Sequence, residues 1–167
     1  MLLFVSNFHI EVNEVETFYD IIADMKSKVL VFLQFLIIFL MILPLGMQTA
    51  YPMIGLPIMF IGLIVGLLAI KEQGSGNFNI RPDLKEGCRL VTSGIYSYIR
   101  HPMYLSVMLM MLGFIFLYPF YYEFVLYGVL IVVLLIKLFY EEHLWNCHTR
   151  EYEEYTKRVK RLIPFIF

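Results

Sequence analysis

Residues 29–47 read VLVFLQFLIIFLMILPLGM, and Gln34 is the only strongly polar side chain in the stretch. A bilayer core about 30 Å thick is crossed by about 20 apolar residues in a helix, and this stretch has that length and character. Three further stretches resemble it. Residues 53–70 and 103–118 carry no charge, and residues 124–140 carry only Lys137, near their end. A lysine so placed can bury its stem and extend its ammonium to the interface. Pro44, Pro57 and Pro119 lie in or beside these stretches, where neighbouring helices can satisfy the carbonyls that proline frees. The pattern predicts an all-α integral membrane protein with four transmembrane helices. Short connections at 49–52 and 119–123 make them two hairpins. A long polar loop, 71–102, lies between the hairpins, and a polar tail, 150–167, follows them.

Composition agrees. Of 167 residues, 60 % are hydrophobic and 16 % charged, where a soluble domain has about 45–50 % and about 25 %. The length suits one domain, divided here into an N-terminal extension (1–28), a first hairpin (29–70) and the remainder (71–167). The net charge of -1 says little, but the placement of the charges says more. Lys26 and Lys28 precede the first span. Lys71, Arg81, Lys85, Arg89 and Arg100 lie in the middle loop, Lys137 at the end of the fourth span, and Arg150, Lys157, Arg158, Lys160 and Arg161 in the tail. The two short turns carry no basic residue. The positive-inside rule then predicts a multi-pass protein with both termini and the middle loop in the cytoplasm. The N-terminus is apolar first and then acidic (Glu11, Glu14, Glu16, Asp20, Asp24). That order is opposite to a signal peptide's, so it reads as a cytoplasmic extension, partly helical.

Three polar segments are candidates for chemistry. Gly74-Ser75-Gly76-Asn77 opens the first; no strand precedes it and no third glycine opens a helix, so it is not a dinucleotide fingerprint. Residues 74–87 read as a solvated linker. The second, residues 90–104, leads into the third span. Pro102 suits a first helical turn, which sets Arg100 and His101 beside a helix start, a place that favours anions and also one where such residues anchor helices at the headgroups. In the third, Glu141 and Glu142 follow Tyr140 at the inner end of the fourth span, where acids oppose the helix dipole. They are either solvated acids or holders of a cationic or hydroxyl-rich ligand. Beyond them Tyr152, Tyr155, Val159 and Leu162 recur at helical spacing opposite Glu151, Glu154, Arg158 and Arg161, the pattern of a helix lying in the interface. Cys88 and Cys147 form neither a disulfide framework nor a metal motif. His143 and His148 lack the partners of a zinc site, so no metal is expected. The basic residues are too thinly spread to suggest nucleic-acid binding.

Taken in order, Leu90-Val91-Thr92-Ser93-Gly94-Ile95-Tyr96, then Arg100-His101-Pro102-x-Tyr104, a hydrophobic hairpin, Glu141-Glu142, Glu151-Tyr152-x-x-Tyr155-x-x-Arg158-Val159 and Ile163-Pro164-Phe165-Ile166 form a set that resembles the isoprenylcysteine carboxyl methyltransferase family. It is more distantly similar to the phospholipid methyltransferases. The resemblance covers residues 90–167. It implies that residues 71–167 are a catalytic region using S-adenosylmethionine, with Gly94, Tyr96, Arg100, His101, Tyr104, Glu141 and Glu142 around the cofactor and Arg158 holding the acceptor. It also implies a lipid-like acceptor drawn from the membrane, an isoprenylcysteine-type carboxylate first and a phospholipid amine as the alternative. Ser106 stands where the family usually has glycine, and counting back from Tyr152 puts Tyr140 and Glu141 at the two acid positions. Methyl transfer from a sulfonium needs positioning more than acid–base groups; a carboxylate is already a nucleophile, whereas an amine must first lose a proton. Two other classes remain. An NADPH-dependent membrane reductase predicts a larger helix set. A non-catalytic adaptor or transport accessory predicts polar residues along a path, which the third and fourth stretches lack.

Overall fold

The structure is a computed structural model and describes residues 2–43, 50–77, 79–84 and 87–164, with the backbone alone for residues 2–20 and for Ser75. Pro44, Thr49 of the expected first turn, Lys85, Phe165 and Ile166 lie outside the described residues. The described chain is helical: α1 (Leu2–Ile42), α2 (Pro52–Asn77), a single 3-10 turn (Gly94–Ser97), α3 (Pro102–Leu117), α4 (Tyr121–His148) and α5 (Arg150–Arg158). Three segments are long and apolar enough to cross a membrane: Ile21–Ile42, Pro52–Gly74 and Tyr121–His148. Their outer faces expose Phe32, Phe39, Phe60 and Phe124, side chains that lipid rather than water would solvate. The expected third span, α3, is apolar but has 16 residues, about 24 Å of helix against a core of about 30 Å.

Residues 2–28 of the expected N-terminal extension form about the first two thirds of α1, whose 41 residues run on without a break for about 60 Å.

The short connections suggest two hairpins, α1 packed on α2 and α3 on α4. The dominant contacts are instead between α2 and α3 and between α1 and α4. Small residues explain the first pair. A Cβ added at Gly113 of α3 would stand 2.6 Å from the Gly55 carbonyl oxygen of α2, and one at Gly62 would stand 2.9 Å from the Met110 nitrogen. Membrane helices approach closely where side chains are missing on both faces. Ser106 joins the same seam: its hydroxyl donates to the Gly62 carbonyl at 2.7 Å. The serine thus satisfies its own buried oxygen across the interface. At the far end the Ala50 and Tyr51 amides donate to the Leu117 and Phe116 carbonyls at 3.0 and 3.1 Å, so α2 begins where α3 ends.

The second pair is held by larger apolar side chains. Ile37 and Met41 of α1 meet Leu130, Val133 and Leu134 of α4, with Met111 and Ile115 of α3 completing the core. One residue there departs from expectation. Lys137 does not reach toward an interface. It is 1 % exposed, and its Nζ donates to Gln34 Oε1 at 2.5 Å and to the Ile80 carbonyl at 3.2 Å. Gln34, the one polar side chain of the first apolar stretch, supplies an acceptor inside the bundle, so the ammonium has no need to leave it.

Candidate active site

The loop after α2 is built rather than loose. α2 continues past its apolar part to Asn77, turning at Gly74 (φ 67°, ψ 165°), a left-handed φ that glycine adopts freely. Asn77 then clasps the returning chain: its Oδ1 accepts from the Arg89 amide at 2.8 Å and its Nδ2 donates to the Arg89 carbonyl at 2.9 Å. Arg81 pairs with Asp24 of α1 and, at 2.7 Å, with Asp83. The solvated linker expected at 74–87 is therefore corrected, because residues 79–84 form a wall.

The tail closes the opposite side. Ile99 and Lys160 form an isolated parallel bridge, and the Arg100 and His101 amides donate to the Lys160 and Arg161 carbonyls at 2.8 and 3.0 Å. This pairing occupies the backbone donors just before Pro102 and fixes where the two side chains point. Tyr152 and Tyr155 pack with Trp145 and Val159 and are 2 % and 3 % exposed. The apolar stripe expected to lie in the membrane interface faces the protein instead; an amphipathic pattern does not distinguish lipid from an internal partner. The Tyr155 hydroxyl donates to the Tyr96 carbonyl at 2.6 Å. Tyr155→Phe leaves that buried carbonyl unsatisfied and should cost about 1–3 kcal/mol, read as a lower unfolding midpoint in detergent; an unchanged midpoint would mean the bond contributes nothing.

The two acids have separate jobs. α4 runs on to His148, so Glu141 and Glu142 lie inside the helix, away from its terminal carbonyls, and the dipole penalty expected from the sequence is small. Glu142 is 6 % exposed and gathers three basic groups: Arg100 Nη2 at 3.0 Å and His101 Nε2 at 3.3 Å on Oε1, and Arg161 Nε at 3.0 Å on Oε2. Glu141 accepts from the Tyr104 hydroxyl on Oε2 at 2.7 Å, with His101 Nδ1 4.0 Å away. Its Oε1 makes no hydrogen bond among the described residues.

Between these walls lies a cavity of about 280 Å³, near the lower end of small-molecule sites. Its polar part is formed by Arg100, His101, Tyr104, Glu141, Tyr96 and Tyr152, and its apolar part includes Phe35, Ile38 and Val107. Two wall atoms are buried without a hydrogen-bond partner among the described residues, Arg100 Nε and the Tyr152 hydroxyl. Buried polar groups in native proteins are almost always partnered, so two donors of this kind on one cavity suit a ligand carrying acceptors. Burial pushes the Tyr96 phenol up to about 12, the Gln73 amide that donates to its oxygen opposing the shift. The Tyr152 and Tyr155 phenols are also raised by burial. These hydroxyls therefore stay protonated donors at neutral pH.

Of the residues singled out by sequence, Tyr96, Arg100, His101, Tyr104 and Glu141 share this cavity. Glu142 stands behind them as their counter-charge. Gly94 does not line the cavity. It has φ +54°, and a Cβ there would collide with the Glu72 carboxyl, which accepts from the Ser93 hydroxyl at 2.9 Å. Arg158 is exposed on α5 and is not part of the wall; Arg161, three residues on, is the tail arginine that reaches Glu142. Sequence reasoning missed Arg161, Gln73, Asn77 and Trp145 as site-builders. The only signal for them was membership of polar segments flanking the recognised motifs.

The sequence matches the phospholipid methyltransferase family over residues 49–148. The chain belongs to that family. The match begins just before α2 and ends with α4, so it takes in the glycine seam, the Arg-His-Pro turn and both acids. No curated protein and no solved structure matches the chain. Membership makes this a membrane methyltransferase; it does not by itself separate the phospholipid enzymes from the isoprenylcysteine type that the tail motif resembles.

Proposed function

We propose that this phospholipid methyltransferase family member uses S-adenosylmethionine to methylate a lipid-like acceptor that enters from the bilayer. The observation that carries the proposal is the cavity itself, whose wall holds unpartnered donors, an open carboxylate oxygen and an apolar inner side. The residues present fit the methyl donor. Arg100 Nε and the Tyr152 hydroxyl can donate to its carboxylate. Glu141 Oε1 can accept from its ammonium or ribose hydroxyls, and Trp145 and the tyrosines offer flat faces to its base. When bound, that cofactor supplies a methyl group on a sulfonium for direct displacement by the acceptor. What the chain contributes is placement and exclusion of water, the larger share of catalysis for a displacement of this kind. His101, held between two acids and at the start of α3, orients the Tyr104–Glu141 pair. The basic residues around the site support a cytoplasmic orientation for this face of the protein.

The acceptor is read as an isoprenylcysteine-type carboxylate. Among the cavity acids, Glu141 is already engaged by Tyr104, and a carboxylate acceptor needs no base. The family match favours the second reading, a phospholipid amine. The direct test is calorimetric titration of the detergent-purified protein with S-adenosylmethionine and, separately, NADPH. Binding of the first alone is expected, weakened about tenfold or more in Glu141→Gln, the loss typical of a hydrogen bond to a charged group. Binding of NADPH alone would replace this reading with the reductase. An unchanged affinity in Glu141→Gln would remove Glu141 from the cofactor site.

A further inference from the structure

Lys137 is a buried cation held by neutral acceptors, with Glu141 acting on it only at longer range. Its Nζ is held by two neutral acceptors, Gln34 Oε1 at 2.5 Å and the Ile80 carbonyl at 3.2 Å, and lies 5.6 Å from the centre of the Tyr104 ring. No carboxylate forms an ion pair with it among the described residues. Glu141, one turn further along α4, is engaged by Tyr104. An ammonium has three donors, and two are spoken for. Lys137 lines the cavity together with Gln34, Phe35 and Ile38 of α1, so its third donor belongs to the side where apolar residues replace polar ones. Ionisable groups among membrane helices are costly and usually face a pathway or a ligand. Placing a charge there while leaving it unpaired is costlier still, unless a ligand brings the opposite charge.

We propose that Lys137 is the counter-charge for an anionic head group on the acceptor, so that this site selects amphiphiles whose head carries a carboxylate or a phosphodiester next to an apolar chain. The proposal rests on the methyltransferase reading for its biological meaning, but the binding it requires can be measured without methyl transfer. Arg100 and Tyr152 remain with the cofactor's own acceptors, and Lys137, one turn along α4 from Glu141, serves the other reactant. Gln34 is then a positioning residue: it aims the ammonium and does not touch the acceptor.

Trp145 is the only tryptophan in the chain and lines the cavity, so its fluorescence reports occupancy directly. The full-length protein in neutral detergent is titrated with two matched pairs: an N-acyl S-prenylcysteine against its methyl ester, and a lysophosphatidylglycerol against a monoacylglycerol. At least one anionic member is expected to bind about tenfold or more tighter than its uncharged counterpart. Preference within the first pair alone identifies a carboxylate site, and within the second alone a phosphodiester site. Lys137→Met should abolish the preference while leaving S-adenosylmethionine affinity within about twofold. Lys137→Arg should retain most of it, and Gln34→Leu should reduce it without removing it. Equal binding of charged and uncharged members by the wild-type protein overturns the proposal with no variant needed. So does a Lys137→Met protein that keeps the preference, or one that loses S-adenosylmethionine affinity instead. A wild-type protein that shows the preference but binds no S-adenosylmethionine leaves the anion site standing and removes the methyltransferase reading.

Discussion

Glu142→Ala is expected to be the most damaging single change in the polar half of the molecule. One carboxylate, 6 % exposed, meets Arg100 at 3.0 Å, His101 at 3.3 Å and Arg161 at 3.0 Å. These side chains come from the turn before α3 and from the tail, so a single acid on α4 ties three parts of the chain together. Removing it leaves the Arg100 guanidinium buried without compensation, and breaking a buried pair in this way costs about 3–5 kcal/mol. Glu142→Gln keeps the shape and part of the hydrogen bonding and should fall between the two. The measurement is the unfolding midpoint in detergent, together with the protease sensitivity of the segment after α5. Tail cleavage should rise sharply in the alanine variant. Because the partners act as a unit, the double variant Glu142→Ala, Arg161→Ala should lose less than the sum of the single losses. A wild-type midpoint in Glu142→Ala would mean that the cluster is not holding the tail.

Gly113→Leu should do comparable harm by the opposite route, adding volume where there is none. A Cβ at this position stands 2.6 Å from the Gly55 carbonyl oxygen and 2.8 Å from the Met59 amide nitrogen. Both are backbone atoms of α2, and they move only if the helix moves. Overpacking a close seam typically costs about 1–3 kcal/mol and occasionally more, and the upper end is expected because α2 and α3 form the largest interface in the fold. Gly128→Leu is the internal control: a Cβ there meets nothing within 4 Å, so its midpoint should stay near wild type. Equal behaviour of the two variants would show that helix approach at Gly113 is looser than described.

Apolar runs are legible in the sequence because a bilayer imposes length and uniform character on anything that crosses it. This is why the first, second and fourth stretches appear as long helices. Partner choice is less legible. The α2–α3 seam depends on which glycines face each other, and glycine at 55, 62 and 113 reads the same on any face until a neighbour is known. Lys137 shows the same difficulty for charge. Its position near a span's end suggested an escape to the interface, and acceptors distant in sequence, Gln34 103 residues away and the Ile80 carbonyl, keep it inside. In the site, the Arg-His-Pro turn and the acids announced themselves because they are polar groups at the ends of apolar runs. The division of labour between Glu141 and Glu142 did not, since adjacent residues on a helix point about 100° apart and only packing says which direction is the cavity. Arg161 was hidden for a related reason. It lies past the end of α5, where the chain leaves helical spacing and pairs as an extended segment.

That extended pairing has a consequence for how the protein comes to exist. Arg100 and His101 take their backbone partners from Lys160 and Arg161, and Tyr152 and Tyr155 close the cavity from the same direction. The apolar helices among the described residues all precede these residues in the chain, so those helices can be inserted while the pocket still lacks a side. Until the ribosome has released the segment around residues 152–162, Glu142 has only part of its basic company and the Tyr96 carbonyl has no hydroxyl donor. The newborn protein is therefore a docked bundle first and a binding site second, because the segment that completes the site follows the helices that frame it.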